Sequence, residues 1–446
     1  SNISARNRRV WKVEMGDTPF YFGAIRVPAR RVGDGGSDTL WGGYLQQKEG
    51  VGAMVRTIDR RSFLKLGAAS TGFSIGCGAK SPGTGGDPVV GEMHYRRLGA
   101  TGLEVSEIAF GAHGVDNLML MSAALEAGVN TFCTSGNYLD GREEEALGAA
   151  IAGAGVARDK IVIFTGNDPK PGDTVDSLLA DIDTSLRRLQ TDYLDVYYNA
   201  MVQTPSDVRR DVLFEAIRRA KQAGKVRHLG VSGHHGGMQA CLEAALASGL
   251  YEVFFIKYDF VSYPDLDEVL QLAAERGIGT VVFKTNAGNR SHEIKDLEAG
   301  GLSFQQATWK WALTHPAVAS VAVTLSNFDQ IREAVEAVGS SLSGREAAML
   351  RRYSSEMYHR YCRFCAGCEG TCPQDVAIAD IMRFEMYFSC YGREKEAMRL
   401  YRALPESCTA AACESCPGPC DGSCPFGRSV REGLIEAHRR LDFQRI

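Results

Sequence analysis

Cysteine is the residue type whose spacing in this chain points most directly to chemistry. Of thirteen cysteines, four read Cys362, Cys365, Cys368 and Cys372, with Pro373 next: C-x2-C-x2-C-x3-C-P. Four more, Cys413, Cys416, Cys420 and Cys424, are followed by Pro425 and read C-x2-C-x3-C-x3-C-P, one residue longer in the middle. Thiolates are soft ligands, and an iron–sulfur cubane offers one open coordination position per iron. Two intervening residues let successive thiolates wrap one corner of a cube, and the proline turns the chain away. This is the spacing of [4Fe–4S] ligands, and it predicts two such clusters and single-electron chemistry. Structural zinc and disulfides are the alternatives; zinc ordinarily uses two well-separated C-x2-C knuckles rather than four thiolates in so short a stretch.

The two runs resemble those of two-cluster bacterial ferredoxins, where the fourth cysteine of each run serves the other cluster. The resemblance implies one ligand set of Cys362, Cys365, Cys368 and Cys424 and another of Cys413, Cys416, Cys420 and Cys372. Two further cysteines, Cys390 and Cys408, leave room for an exchanged ligand.

A chain of 446 residues is long enough for two or three domains. Its net charge of −4 gives no reason to expect a nucleic-acid partner, and no apolar run reaches the ~18–20 residues that span a bilayer. Arg60-Arg-Ser-Phe-Leu-Lys65 precedes a mild small-residue stretch, Leu66 to Gly76. This resembles a twin-arginine export signal and predicts a periplasmic or otherwise extracytoplasmic location. Such a route suits a protein that folds around its cofactors before transport. Cys77 follows a partial lipoprotein box, so a membrane anchor is expected only if that cysteine is lipidated. Met54 would give the signal a short basic start, and residues 1–53 read as upstream sequence with poor packing. The expected division is 1–53 upstream, 54–90 signal and linker, 91–342 barrel and 343–446 the dicluster domain.

The elements that must position any further chemistry lie between these ends. Short β-branched runs alternate with amphipathic helices from about residue 94. The predicted strands are Ser106–Ala112, Thr131–Thr134, Ile161–Thr165, Leu194–Tyr198, His228–Val231, Val253–Tyr258, Thr280–Lys284 and Ser320–Thr324. Predicted helices include Ser177–Leu189, Leu213–Gln222, Leu266–Arg276 and Asp329–Ala337. Eight repeats predict an α/β chain with a (β/α)8 TIM barrel, followed by a small, mostly helical ferredoxin-like domain with helices at Ala379–Ser389 and Glu394–Arg402. A doubly wound open sheet is the rival, but no G-x-G-x-x-G follows the first strand.

Several segments resemble aldo/keto reductases: His94-Tyr-Arg-Arg-Leu-Gly-Ala-Thr-Gly-Leu-Glu-Val-Ser106, Thr131-Phe-Cys-Thr-Ser-Gly-Asn-Tyr138, Glu144-Glu-Ala-Leu-Gly148, Asp192-Tyr-Leu-Asp-Val-Tyr197, Gly230-Val-Ser232 and Phe283-Lys-Thr285. The tail is similar to the branch of that family with a ferredoxin-like extension. The resemblance implies carbonyl reduction by NADPH, with a tyrosine acid supported by lysine, aspartate and histidine. Tyr138 matches the tyrosine. Cys133 stands at the aspartate position, Gly166 at the lysine and Ala200 at the histidine, so three of the four are replaced. A phenol titrates near 10 and is a weak acid–base group without a neighbouring ammonium.

The strand-end side chains that remain are Cys133, Tyr138, Asn199, His234, His235, Lys257, Asp259, Lys284 and Asn286. From these we take Tyr138, His234 and Lys284 as candidate catalytic residues. Cys133 also reads as a small buried hydrophobe, and Lys257 and Lys284 as rim lysines. Thr324, Ser326, Gln330 and Arg332 stand where the family holds the adenosine phosphate of NADP(H), at a helix start. The leading expectation is an exported iron–sulfur oxidoreductase with a redox-protein partner and a small-molecule substrate. The alternatives are an electron-transfer subunit whose barrel only docks, and an NADPH-dependent carbonyl reductase with a rebuilt proton donor.

Overall fold

The structure is a computed structural model that describes residues 92–234, 237–261, 266–288, 297–298, 301–365 and 367–442, with the backbone of short strands at 11–13, 20–22 and 56–57. The twin-arginine pattern at 60–65, Cys77 and His235 lie outside the described residues.

Eight parallel strands close into a barrel: β1 Ile108–Gly111, β2 Thr131–Cys133, β3 Val162–Asn167, β4 Leu194–Asn199, β5 Val226–Gly233, β6 Val253–Lys257, β7 Gly279–Phe283 and β8 Val318–Val323. These strands are buried on both faces, which is why their sequences read as near-continuous apolar runs. One face packs inward: Ala109, Cys133, Phe164, Val196, Tyr198, Phe255 and Val281 fill the interior. The other face meets the helices through residues such as Phe110, Phe132, Tyr197 and Phe254. Alternation along one strand therefore separates Tyr197, facing the helices, from Tyr198, inside the barrel.

A hairpin of His94–Arg97 and Glu104–Ser106 precedes β1. Arg96 bonds Glu107 at 2.7 Å and also donates to the carbonyls of Leu313 and Val318. This ties the hairpin to the strand start of β8. Gly99 turns it with φ +52, and a side chain there would strike the carbonyl of Gly277 at 2.3 Å, so only glycine fits.

Helices return the chain between strands. Val175–Arg188 is capped by Thr174 in a reciprocal bond with Ser177. Asp211–Gln222, Leu266–Glu275 and Phe328–Ala337 fall within two residues of their predicted bounds. The helix Gly344–Met357 packs on the barrel: Lys310 pairs with Glu346 at 2.8 Å, and the rings of Phe304 and Tyr353 lie 4.7 Å apart. The division between the two compact units accordingly falls after Tyr358 instead of after residue 342.

The C-terminal unit begins at His359. Its regular elements are the helices Ile378–Cys390, Glu394–Arg402 and Val430–Leu441. Tyr401 lies at their core, its hydroxyl 2.5 Å from His438 Nδ1 while accepting the Ala410 N–H. The first cysteine run lies in the loop and 3-10 turn before the first of these helices, and the second run in those between the last two.

Candidate functional sites

Eight of the ten cysteines of the C-terminal unit surround two separate volumes. Cys362, Cys365, Cys368 and Cys424 line a cavity of about 420 Å³, counted with its opening to solvent, together with Arg363 and Arg428. Cys372, Cys413, Cys416 and Cys420 line another of about 310 Å³ with Arg431 and Leu434. Each cavity draws three cysteines from one run and the fourth from the other. Cys390 and Cys408 stand on neither wall.

The loops explain how closely spaced cysteines face one cavity. Phe364, between Cys362 and Cys365, has φ +56, and its N–H donates to the sulfur of Cys362. The N–H of Gly367 donates to Cys365 in the same way. In the second run the additional residue is absorbed at Gly418, whose φ of +75 lets the chain double back. Its N–H lies 3.5 Å from the sulfur of Cys416.

Four thiols on each wall are the donor set that a [4Fe–4S] cluster takes. Among the described residues, no group of three or more His, Cys, Asp or Glu is arranged to hold one metal ion. Burial pushes the thiols of Cys362, Cys365 and Cys420 up, and that of Cys413 up to about 11. Four adjacent thiolates need a cationic core to ionise them. Arg428 Nε is buried without a hydrogen-bond partner on the wall of the first cavity, so an acceptor inside would satisfy it.

The barrel presents a second candidate site at the C-terminal ends of its strands. Tyr138 opens a one-turn 3-10 helix, Tyr138–Gly141, after β2. Leu139 and Asp140 there have φ of +46 and +58, a left-handed conformation that is costly for non-glycine residues. Arg188, at the end of its helix, donates to the carbonyls of Gly136 and Asp140 and to buried Glu144. A side chain on Gly141 would strike this guanidinium. The strained turn is thereby latched.

Tyr138 also packs its ring edge against His113, with centroids 4.4 Å apart. His113 lies just beyond β1, and buried Glu143 accepts the neighbouring Gly114 N–H at 2.6 Å. Sequence reading missed His113 and Glu143; a histidine two residues past the first barrel strand was the available signal. The other proposed catalytic residues have different surroundings. His234 sets its edge on Phe283 at 6.3 Å, and Lys284 has φ +57.

The substituted positions have local causes. Cys133 is buried in the barrel interior, where desolvation pushes its thiol up, so it serves as a small hydrophobe. A side chain on Gly166 would meet the Tyr198 carbonyl oxygen at 2.0 Å and its ring at 2.9 Å. Tyr198 donates its own hydroxyl proton to the Thr134 carbonyl, and burial first, then the neighbouring Tyr138, opposes its ionisation.

One expectation for the remaining strand ends, that for Lys257, needs correction. Lys257 is buried and paired with Asp259 at 3.1 Å, so it does not snorkel at a rim. Asn199 braces helices from outside the barrel, donating to Tyr251 and to the Asp207 carbonyl. Asn286 is exchanged in two amide bonds with Gln305. Beyond β8, which ends one residue before Thr324, Ser326 donates from its N–H and hydroxyl to Gln330, and Arg332 pairs with Asp329.

Comparison with known proteins bears on the barrel. Residues 115–291 match the model of the Aldo/keto reductase family. An uncharacterized oxidoreductase of Bacillus subtilis, YrpG, is 27% identical over 314 residues, which cover 58% of this chain and 95% of that protein. The 6-dehydroglucose reductase of Novosphingobium aromaticivorans is 29% identical over 280 residues, 55% of this chain and 90% of its own. The solved thermostable aldo-keto reductase Tm1743 shares the barrel fold, with a TM-score of 0.50 at 22% identity over 58% of this chain and 98% of that one. The barrel region thus resembles aldo/keto reductases, and the relatives it resembles are oxidoreductases.

Proposed function

We propose that the chain is an exported iron–sulfur oxidoreductase that passes electrons between a redox-protein partner and a small molecule in the barrel mouth. The observation that carries this reading is the sorting of eight cysteines into two four-thiol cavities. Cys362, Cys365, Cys368 and Cys424 would hold one [4Fe–4S] cluster, and Cys372, Cys413, Cys416 and Cys420 the other. A bound cluster of this kind stores and releases one electron, at a potential set by charge, hydrogen bonds and exposure. The protein's contribution is to aim backbone N–H groups at the sulfurs and to limit water. Anaerobic purification with metal, sulfide and EPR measurements tests it. We expect about eight iron and eight sulfide per chain and a rhombic signal on reduction; zinc with no such signal would overturn the assignment.

In the barrel, Tyr138 keeps the family's phenol, but the three groups that tune it are replaced. His113 is the titratable side chain now against its ring. We infer that the barrel has left the family's nicotinamide reaction: Gly166 has no room for the lysine, and Ser326, Gln330 and Arg332 are engaged within their own loop. Fluorescence titration with NADPH is expected to give no binding; micromolar affinity would favour the carbonyl-reductase alternative instead.

Export rests on the pattern Arg60-Arg-Ser-Phe-Leu-Lys65. Replacing both arginines by lysine should hold the loaded protein in the cytoplasm, read by cell fractionation; unchanged export would remove this part of the reading.

A further inference from the structure

Resting on the assignment of two clusters, we propose that the charged side chains around the two thiol cavities make them unequal, so that an added electron settles on the Cys362, Cys365, Cys368 and Cys424 set. Two guanidinium groups stand on the wall of that cavity. Arg363 is buried and lies over the Phe426 ring at 4.0 Å. Arg428 approaches from the other side, with its Nε buried and without a hydrogen-bond partner. Its guanidinium rests over Gly433, where a Cβ would come within 2.7 Å of it. Neighbouring positive charge favours the reduced, more negative cluster.

The Cys372, Cys413, Cys416 and Cys420 cavity carries one guanidinium, Arg431. It donates to the carbonyls of Cys413 and Glu414 at 2.9 and 2.7 Å. A carboxylate stands beside it: Asp421 follows Cys420 directly and accepts the Arg431 N–H at 2.8 Å. The positive charge at this cavity is thus largely offset. With clusters held by both sets, the Cys362, Cys365, Cys368 and Cys424 set would keep an added electron that the other set gives up. The cysteine pattern alone carries no such direction, because the two runs are nearly equivalent as ligand sets.

The test is a potentiometric titration followed by EPR on the whole protein purified anaerobically. Iron and sulfide counts come first, because a protein without clusters defeats the underlying assignment and not only this inference. With clusters present, two one-electron steps are expected. Arg428→Gln should lower the higher-potential step alone, reducing its reduced-to-oxidised ratio at fixed potential about tenfold, ~59 mV. Gly433→Ala keeps the charge but displaces the guanidinium, and should lower the same step by less. Asp421→Asn should raise the lower step alone. If Arg428→Gln moves the lower step, or neither, the inference is overturned. Equal potentials in the unmodified protein would overturn it as well.

Discussion

At the scale of single residues, the proposed departure of the barrel from carbonyl reduction rests on a contact as well as on replaced side chains. Gly166 faces the Tyr198 carbonyl so closely that the family's lysine cannot be restored by substitution. Gly166→Lys should lose ~1–3 kcal/mol of stability by overpacking and gain no NADPH-dependent carbonyl reduction, measured by denaturant unfolding and nicotinamide absorbance. A well-folded, active variant would refute the packing explanation. Glu252 offers a second residue-level test. Burial alone would raise its carboxyl, but bonds from His228 and Lys221 and from the Leu229 N–H hold it down, to about 2. An unfolded glutamate titrates near ~4.3. The bonded carboxylate therefore stabilises the fold fully above about pH 5 and progressively less as pH falls toward 2. Its side chain is partly exposed, so the contribution is screened to ~1–2 kcal/mol. Urea unfolding at pH 7 and pH 3 should show Glu252→Gln less pH-sensitive than the unmodified protein; equal sensitivity would count against it.

At the scale of elements, the turn Tyr138–Gly141 depends on a helix end far along the chain. Arg188 links the Asp140 carbonyl of the turn and the Gly136 carbonyl just before it to the buried carboxylate of Glu144. Arg188→Ala leaves that carboxylate uncompensated and should cost about 3 kcal/mol, with faster amide exchange across residues 136–141. Normal protection there would show the latch to be dispensable. All eight barrel strands were legible in the sequence, because burial on both faces leaves an unmistakable β-branched signature. So were the helices Ile378–Cys390 and Glu394–Arg402. The Arg188 latch was not legible, since its contacts reach 52 residues back to Gly136. Nor was the closure of the Gly166 position, which depends on the neighbouring strand. The helix Gly344–Met357 was assigned to the wrong unit because its amphipathic pattern does not say which apolar surface it covers. The membership of each cysteine run is a local pattern, whereas the exchange of Cys372 and Cys424 between the two sets came from the resemblance to two-cluster ferredoxins, since spacing within one loop says nothing of the other.

At the scale of the whole molecule, the crossed ligand sets predict how cluster loss should be shared between substitutions. Cys372→Ala and Cys413→Ala, far apart in the chain, should remove the same cluster, as should Cys424→Ala and Cys362→Ala. Iron counts with EPR of the four proteins would distinguish this from ligation within each run, where Cys372→Ala would instead match Cys362→Ala. The exchange of a cysteine between runs has a consequence for biogenesis. Neither thiol set is complete on the ribosome until a residue of the later run has emerged: Cys420 for one set, Cys424 for the other. On the proposed assignment, a nascent chain cut short before the later run would own no finished cradle at all, so metal loading would have to wait for that run.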